Sequence, residues 1–445
     1  MSSLTIQTGP RTTVIIGSRT SELAMIQSRH IQSLLSNAHP TIEFKIVTSS
    51  TVGDEVLNVP LSTIGATNPG LFTKSLEAHI VTGRYDLAVH SLKDMPTTLP
   101  DGLQLSAITK REDPTDALVL HPFYTSNSVH SLAELPAGAV VGTSSLRRQA
   151  LIGRYYPHLL VRSIRGNLNT RLAKLDQSTP LSGRSSTTST ATATTTSTTS
   201  TTSTTSTTAT TTSTTPPPAS ANEEHKKSTS TNTSGVQEEN TETKWVGEPG
   251  VHYDAIVLAT AGLKRMGWSQ RISKILNIFP YGISQGALGI ETRSNDEWMI
   301  HLVNRTLSDW ESTARCMAER SFMRALQGGC QVPIGATTML FGGDEMDEEE
   351  SGDGDGSSSS SAAAAAAGVA KEQKMKLYGI VLSVDGKKFV EASGEVILKR
   401  NEPVPIQQVE ALGIQLAANV REQGADALLG RGGPRPITYS EVATN

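Results

Sequence analysis

The chain has 445 residues, a formal net charge of −4, 18% charged and 4% aromatic residues, and two cysteines. So slight a charge excludes a global attraction to nucleic acid or to an anionic membrane, and any anion site must be local. No apolar run reaches the roughly 20 residues of a membrane span, and the polar start passes directly into TVIIGSRT, so the cytoplasm is the expected compartment.

Composition divides the chain before any motif is read. Ser178 to Thr243 is mostly Ser and Thr, and Gly342 to Gln373 runs from acidic residues through poly-Ser to poly-Ala. Neither stretch can build a core, and both read as surface insertions. About 350 residues remain, enough for two or three domains.

In chain order, TVIIGS (13–18) reads as a strand and ELAMIQSRHIQSLL (22–35) as a helix. IEFKIVT (42–48) is a strand, LFTKSLEAHIV (71–81) a helix and YDLAVH (85–90) a strand. The scheme repeats with GAVVGT, SSLRRQALIGRYY, LLVRSI, NLNTRLAKL and, past the first insertion, YDAIVLA and AGLKRMG. Such alternation predicts parallel α/β layers, which bind ligands at the C-terminal ends of their strands. The last part differs: a helix over Ser308–Leu326, antiparallel strands in KLYGIVLSVDGKKFVEASGEVIL with a turn at Asp385-Gly386, and an amphipathic helix over Val404–Arg421. This is an α+β domain, with Cys330 in its first helix-to-sheet loop.

The predicted strand ends gather arginines and hydroxyls. Ser18-Arg19-Thr20-Ser21 follows the first strand, with Gln27 two turns into the helix, and Ser91-Leu92-Lys93-Asp94 follows YDLAVH. Thr143, Ser144 and Ser145 precede Arg147 and Arg148 in the first turn of the next helix, and Arg165 and Arg171 come after the following strand. Arginines oppose the macrodipole at a helix N-terminus, a conflict that a bound carboxylate or phosphate would resolve. Alone, an arginine pair is solvated surface, Lys93-Asp94 is a loop salt bridge, and a free cysteine is a small buried hydrophobe. Cys316 keeps that last reading. No P-loop and no Gly-x-Gly-x-x-Gly follows the first strand. The cysteine spacing suggests neither a disulfide framework nor a metal site.

Four motifs in order, VHSLKDMPT (89–97), VGTSSLRRQA (141–150), IRGNLNTRLAKLD (164–176) and GGCQVPIG (328–335), closely resemble those of the porphobilinogen deaminase (hydroxymethylbilane synthase) family. GSRTSELAMIQ, DLAVHS, LATAGLKRMG, SQGALGIE and AERSFMRAL extend the likeness over nearly all the chain outside the insertions. The resemblance implies an α/β fold, with two type II periplasmic-binding-protein-like domains and a smaller α+β C-terminal domain. Domain 1 would span 1–110 and 287–305. Domain 2 would span 115–282, with the insertion 178–243 as a disordered excursion, and domain 3 308–445, with the insertion 342–373.

It also implies a dipyrromethane cofactor joined to Cys330 by a thioether. Four porphobilinogen molecules would be added head to tail to that primer with loss of ammonia, and water would then release hydroxymethylbilane. Asp94 matches the catalytic carboxylate of the family, with Lys93 beside it. Ser91, Lys93, Thr143, Ser145, Arg147, Arg148 and Arg171 match cofactor contacts, while Arg19, Ser21, Gln27, Arg165 and Arg265 match substrate contacts. A monomer with no nucleic-acid or membrane partner is the family expectation.

Two departures stand out. Asn68-Pro69-Gly70 replaces a lysine-bearing stretch beside the expected lid, Ser49 to Asn68, and Ser284 replaces a common glycine. A non-catalytic polycarboxylate-binding protein on the same two-lobed scaffold is the alternative reading. It would explain the arginines but not Lys93-Asp94 together with Cys330.

Overall fold

The computed structural model describes residues 9–49, 73–183, 251–328, 332–341, 372–400 and 402–430. The first lobe opens with β1 (Thr13–Arg19), α1 (Glu22–Ala38), β2 (Glu43–Ser49), α2 (Lys74–Val81), β3 (Leu87–Ser91) and β4 (Leu103–Ile108). The second holds β5 (Asp116–Leu120), α3 (Pro122–Ser126), β6 (Val140–Gly142), α4 (Leu146–Tyr155), β7 (Leu160–Arg162), α5 (Leu168–Asp176), β8 (Ala255–Ala259), α6 (Thr260–Arg265) and β9 (Lys274–Ile275). The chain then returns to the first lobe as β10 (Leu288–Arg293) and α7 (Glu297–Leu307).

The two sheets follow one plan, β2-β1-β3-β10-β4 and β7-β6-β8-β5-β9. This is a two-lobed α/β arrangement, as the resemblance implied. The expectation of purely parallel layers needs correction: β10 is antiparallel to β3 and β4, and β5 to β8 and β9. Both reversed strands are the ones by which the chain enters a lobe from the other. The remaining strands of a βα unit end at the cleft, so a strand that begins there must run the opposite way.

Apolar alternation fixes the layers. Val14, Ile16, Leu87 and Val89 bury one face of the first sheet against Ile31 and Leu35 of α1 and Met299 and Val303 of α7. Ala88 and Tyr85 meet Leu76 and Ile80 of α2 on the other.

The C-terminal domain consists of α8 (Trp310–Ala325), a sheet of β11 (Ile334–Phe341), β12 (Glu372–Leu382) and β13 (Phe389–Lys399), then α9 (Ile406–Glu422) and α10 (Ala425–Leu428). Helix α8 starts on Asp309, whose carboxylate accepts from Ser312 N at 2.8 Å. Phe322, Leu377 and Leu416 lie in the core of the domain. Yet Ile380 and Leu382 of β12 belong to the core of the second lobe, beside Leu151, Ile152 and Phe279.

Both inter-lobe crossings are held by one buried carboxylate of α8. Glu319 accepts from Arg111 at 2.6 and 2.9 Å, and its Oε2 accepts from Ser284 N at 2.7 Å. Ser284 has φ +57°, in the left-handed region that glycine enters without strain.

Two insertion boundaries shift. Ser178 Oγ donates to Lys174 O (2.7 Å) and accepts from Tyr253 N (2.9 Å), so the start of the Ser/Thr tract is bonded into the end of α5. Residues 184–250 lie outside the described residues. Gln373, taken with the second insertion, belongs to β12, and residues 342–371 also lie outside the description.

Candidate active site

Strand β3 ends at Ser91 and turns at once through a single 3-10 turn, Leu92–Asp94. Leu92 and Met95 are buried pegs beneath this turn. Gly289 of β10 makes room for them: a Cβ there would lie 2.8 Å from Met95 Sδ and 2.9 Å from Leu92 Cδ1. With the apolar residues committed downward, Lys93 and Asp94 are left partly exposed. Burial pulls the Lys93 pKa down, and the neighbouring Asp94 charge works against that pull. Ser91 and Gln27 of α1 hydrogen-bond each other, Nε2 to Oγ at 3.0 Å and Oγ to Oε1 at 3.2 Å.

The arginine pair of α4 has an internal partner that sequence reading missed. Asp116, wholly buried at the start of β5, accepts from Arg147 Nη1 (2.7 Å) and from Arg148 Nε (3.0 Å) and Nη2 (2.7 Å). Gln285 Nε2 donates to the same carboxylate at 2.9 Å. The anion expected at this helix start is therefore supplied in part by the chain itself. Burial alone would raise the Asp116 pKa, but Arg147 and Arg148 hold it well below the usual carboxylate range. Burial also lowers the Arg148 pKa, against the opposing effect of Asp116.

The hydroxyls expected at a ligand serve the backbone here. Ser145 Oγ caps α4 by accepting from Arg148 N at 3.5 Å, and Thr143 Oγ1 accepts from Ser145 N at 3.2 Å.

Six of the expected residues line one cavity: Gln27, Ser91, Lys93, Arg148, Arg171 and Arg265. They come from α1, the end of β3, the turn after it, α4, α5 and α6, so the cavity sits where strand ends and helix starts of both lobes meet. Arg171 donates from Nε to Gly166 O (2.8 Å), and Arg265 from Nη2 to Gly286 O (2.7 Å). Burial, with the charges of Arg148 and Arg165, lowers the Arg171 pKa to about 10. Burial also lowers the Arg265 and Arg165 values.

The other expected residues fall outside that lining. Arg147 turns to Asp116 and to Pro280 O, the latter at 2.7 Å. Arg19 closes β1 in register with Ser49, and Ser21 is the N-cap residue of α1. Arg165 accepts through its carbonyl from Lys174 Nζ at 2.9 Å. Thr143, Ser145 and Asp94 are not among the lining residues either. Cys330 and all of the expected lid except Ser49 lie outside the described residues. Cys316 is described and buried, which lifts its thiol pKa to about 11 and leaves it inert.

The walls hold further residues that were not singled out, among them Leu23, Leu168, Leu258, Gly262, Gln285 and Gly286. No Asp or Glu is among the described residues that line the cavity. Four cationic side chains with apolar surface between them suit an organic polyanion.

Residues 14–215 and 239–301 match the family model for "Porphobilinogen deaminase, dipyromethane cofactor binding domain", and 313–346 match that for "Porphobilinogen deaminase, C-terminal domain". The porphobilinogen deaminase of Gloeobacter violaceus is 38% identical over 422 residues, 94% of this chain and 93% of its own. That of a Nostoc species is 36% identical over 423 residues, 94% of each. That of a Synechococcus species is 36% identical over 419 residues, 94% of this chain and 95% of its own. Likeness of this depth, running nearly from end to end, means that the chain belongs to the porphobilinogen deaminase family.

Proposed function

We propose that this chain is a hydroxymethylbilane synthase, a transferase that joins four porphobilinogen molecules head to tail with loss of ammonia and releases the linear tetrapyrrole by hydrolysis. The observation that carries this reading is the convergence of Lys93, Arg148, Arg171 and Arg265 on one cavity, with no acidic residue among the described residues that line it. Each pyrrole of the substrate and of the cofactor bears an acetate and a propionate, so the donor set fits the dipyrromethane group that the family uses. When bound, that group supplies the nucleophilic pyrrole carbon on which the product is extended.

The side chains have separable tasks. Lys93, Arg148 and Arg171 would hold carboxylates of the primer, and Gln27 and Arg265 those of the incoming porphobilinogen. Arginine suits this work because it stays charged when water is excluded and grips a carboxylate with two donors. Asp94, beside Lys93, is the group we assign to the chemistry. As ammonia leaves porphobilinogen, positive charge develops on the substrate's pyrrole. A carboxylate at the pyrrole N–H stabilises that charge and moves the proton. Cys330 would carry the primer, because a soft thiol captures an electrophilic methylene-pyrrole as a stable thioether.

The enzyme is proposed to act as a monomer in the cytoplasm. No helix among the described residues is long and apolar enough to cross a membrane. A non-catalytic polycarboxylate binder would share the cationic cavity but would need neither Asp94 nor Cys330. The intact mass of the purified protein separates the two: a dipyrromethane adduct that disappears in Cys330→Ser is expected, and an unmodified chain with full activity would sink the proposal.

A further inference from the structure

We propose that Arg320, on α8 of the C-terminal domain, is a positioning residue for the Lys93–Asp94 turn; the proposal rests on the catalytic role given to Asp94 above. Arg320 is only 4% exposed. Its Nη1 donates to the carbonyls of Leu92 and Met95, each at 3.4 Å, and its Nη2 to the carbonyl of Pro96 at 2.5 Å. All three acceptors belong to the stretch 92–96 that contains Lys93 and Asp94.

A single 3-10 turn cannot hold itself. Its one internal closure is Met95 N to Leu92 O at 3.2 Å, and Ala287 O receives Leu92 N at 3.0 Å. The carbonyls of a buried turn need donors, and a turn closed by a single internal bond has several accessible backbone states unless its surroundings hold it. Helix α8 contributes both kinds of support. Cys316 and Met317 pack with Leu92 and Met95 in one apolar cluster, and Arg320, one helical turn further along, brings the donors. The planar guanidinium spans three carbonyls that a single ammonium could not reach together.

Arg320 is not among the residues that line the cavity. Any effect it has on turnover is therefore indirect, and its three hydrogen bonds point to the backbone that presents Asp94. The same helix ends at Ala325, a few residues before Cys330 in sequence. The domain expected to anchor the primer thus also holds the turn expected to act on it.

The test compares Arg320→Met, Arg320→Lys and Asp94→Asn with the parent chain by steady-state kinetics on porphobilinogen, intact mass and thermal melting. In Arg320→Met we expect the full dipyrromethane adduct and KM within about twofold of the parent, with kcat reduced about tenfold or more. Arg320→Lys should recover part of the loss. Parent-like kcat in Arg320→Met overturns the proposal, as does a loss in which kcat, KM and adduct content fall together with thermal stability. Should Arg320→Met yield no folded protein, Arg320→Lys decides, and parent kcat in that variant overturns it. Parent turnover in Asp94→Asn would instead remove the role of Asp94, a failure of the underlying reading that the Arg320 variants alone would not produce.

Discussion

Asp116 Oδ1 lies 2.7 Å from Nη2 and 3.0 Å from Nε of Arg148, a two-pronged contact with no solvent exposure at the carboxylate. Arg148 faces the cavity and Asp116 does not, so the carboxylate sets the guanidinium without competing for the ligand. Gln285 bridges them, donating to Asp116 at 2.9 Å and accepting from Arg148 at 3.3 Å. Since Gln285 lies on the second crossing between the lobes, the position of Arg148 is tied to that crossing.

Asp116→Asn should leave the buried Arg147 and Arg148 without their counter-ion. Breaking a buried pair from one side costs about 3–5 kcal/mol, so a large fall in Tm is expected. The pH dependence has a definite sign. The Asp116 pKa is depressed in the folded state by Arg147 and Arg148, despite burial. Its contribution is therefore complete above the ordinary carboxylate value of about 4 and fades as pH drops below it. Melting curves from about pH 7 to about pH 3 should show a constant gap between parent and variant above about pH 4 that begins to narrow below it. A constant gap across that range would remove the ion pair as the cause.

Lys93, Arg148, Arg171 and Arg265 should attract the substrate through a field that salt can screen. Raising NaCl from about 20 mM to about 500 mM should raise KM for porphobilinogen severalfold and change kcat little. Arg171, at about 10, remains charged at neutral pH and contributes throughout. Lys93→Gln should flatten the slope of KM against salt. If the slope is unchanged in that variant, Lys93 does not contribute to the capturing field.

Much of the cavity was legible because its residues sit in short motifs at strand ends, where an α/β fold must place a ligand. Gln27, Ser91, Lys93, Arg148, Arg171 and Arg265 all come from such motifs. Asp116 was not legible: in EDPTDALVL it is one acid among several, and only the antiparallel course of β5 carries it beneath α4. For the same reason the two partners that Arg147 finds within the chain, Asp116 and Pro280 O, were not legible. Periodicity also gave no hint of the reversed strands, since DALVL and LGIETR are short and buried along their whole length. Arg320 was hidden in an ordinary helical pattern, and its three carbonyl partners lie more than 200 residues away in sequence.

Gly386 gives a sharper test of how the C-terminal domain supports α4. It has φ +73°, and a Cβ there would lie 2.1 Å from Ala150 O and 2.8 Å from Arg154 N, both backbone atoms of that helix. Beside it, the Arg154 guanidinium carbon stands 3.5 Å over the Phe389 ring centre. The β12–β13 turn is therefore wedged against the helix whose first turn carries Arg148, although no residue of this turn lines the cavity. Gly267 offers the control: its φ is +71°, and nothing lies within 4 Å of its would-be Cβ. Gly267→Ala should cost about 1 kcal/mol from backbone strain alone, whereas Gly386→Ala should cost about 2 kcal/mol or more and raise KM as well. Urea midpoints and steady-state kinetics check both variants. Equal losses of stability with unchanged KM would mean that the turn packs against α4 without setting the position of Arg148.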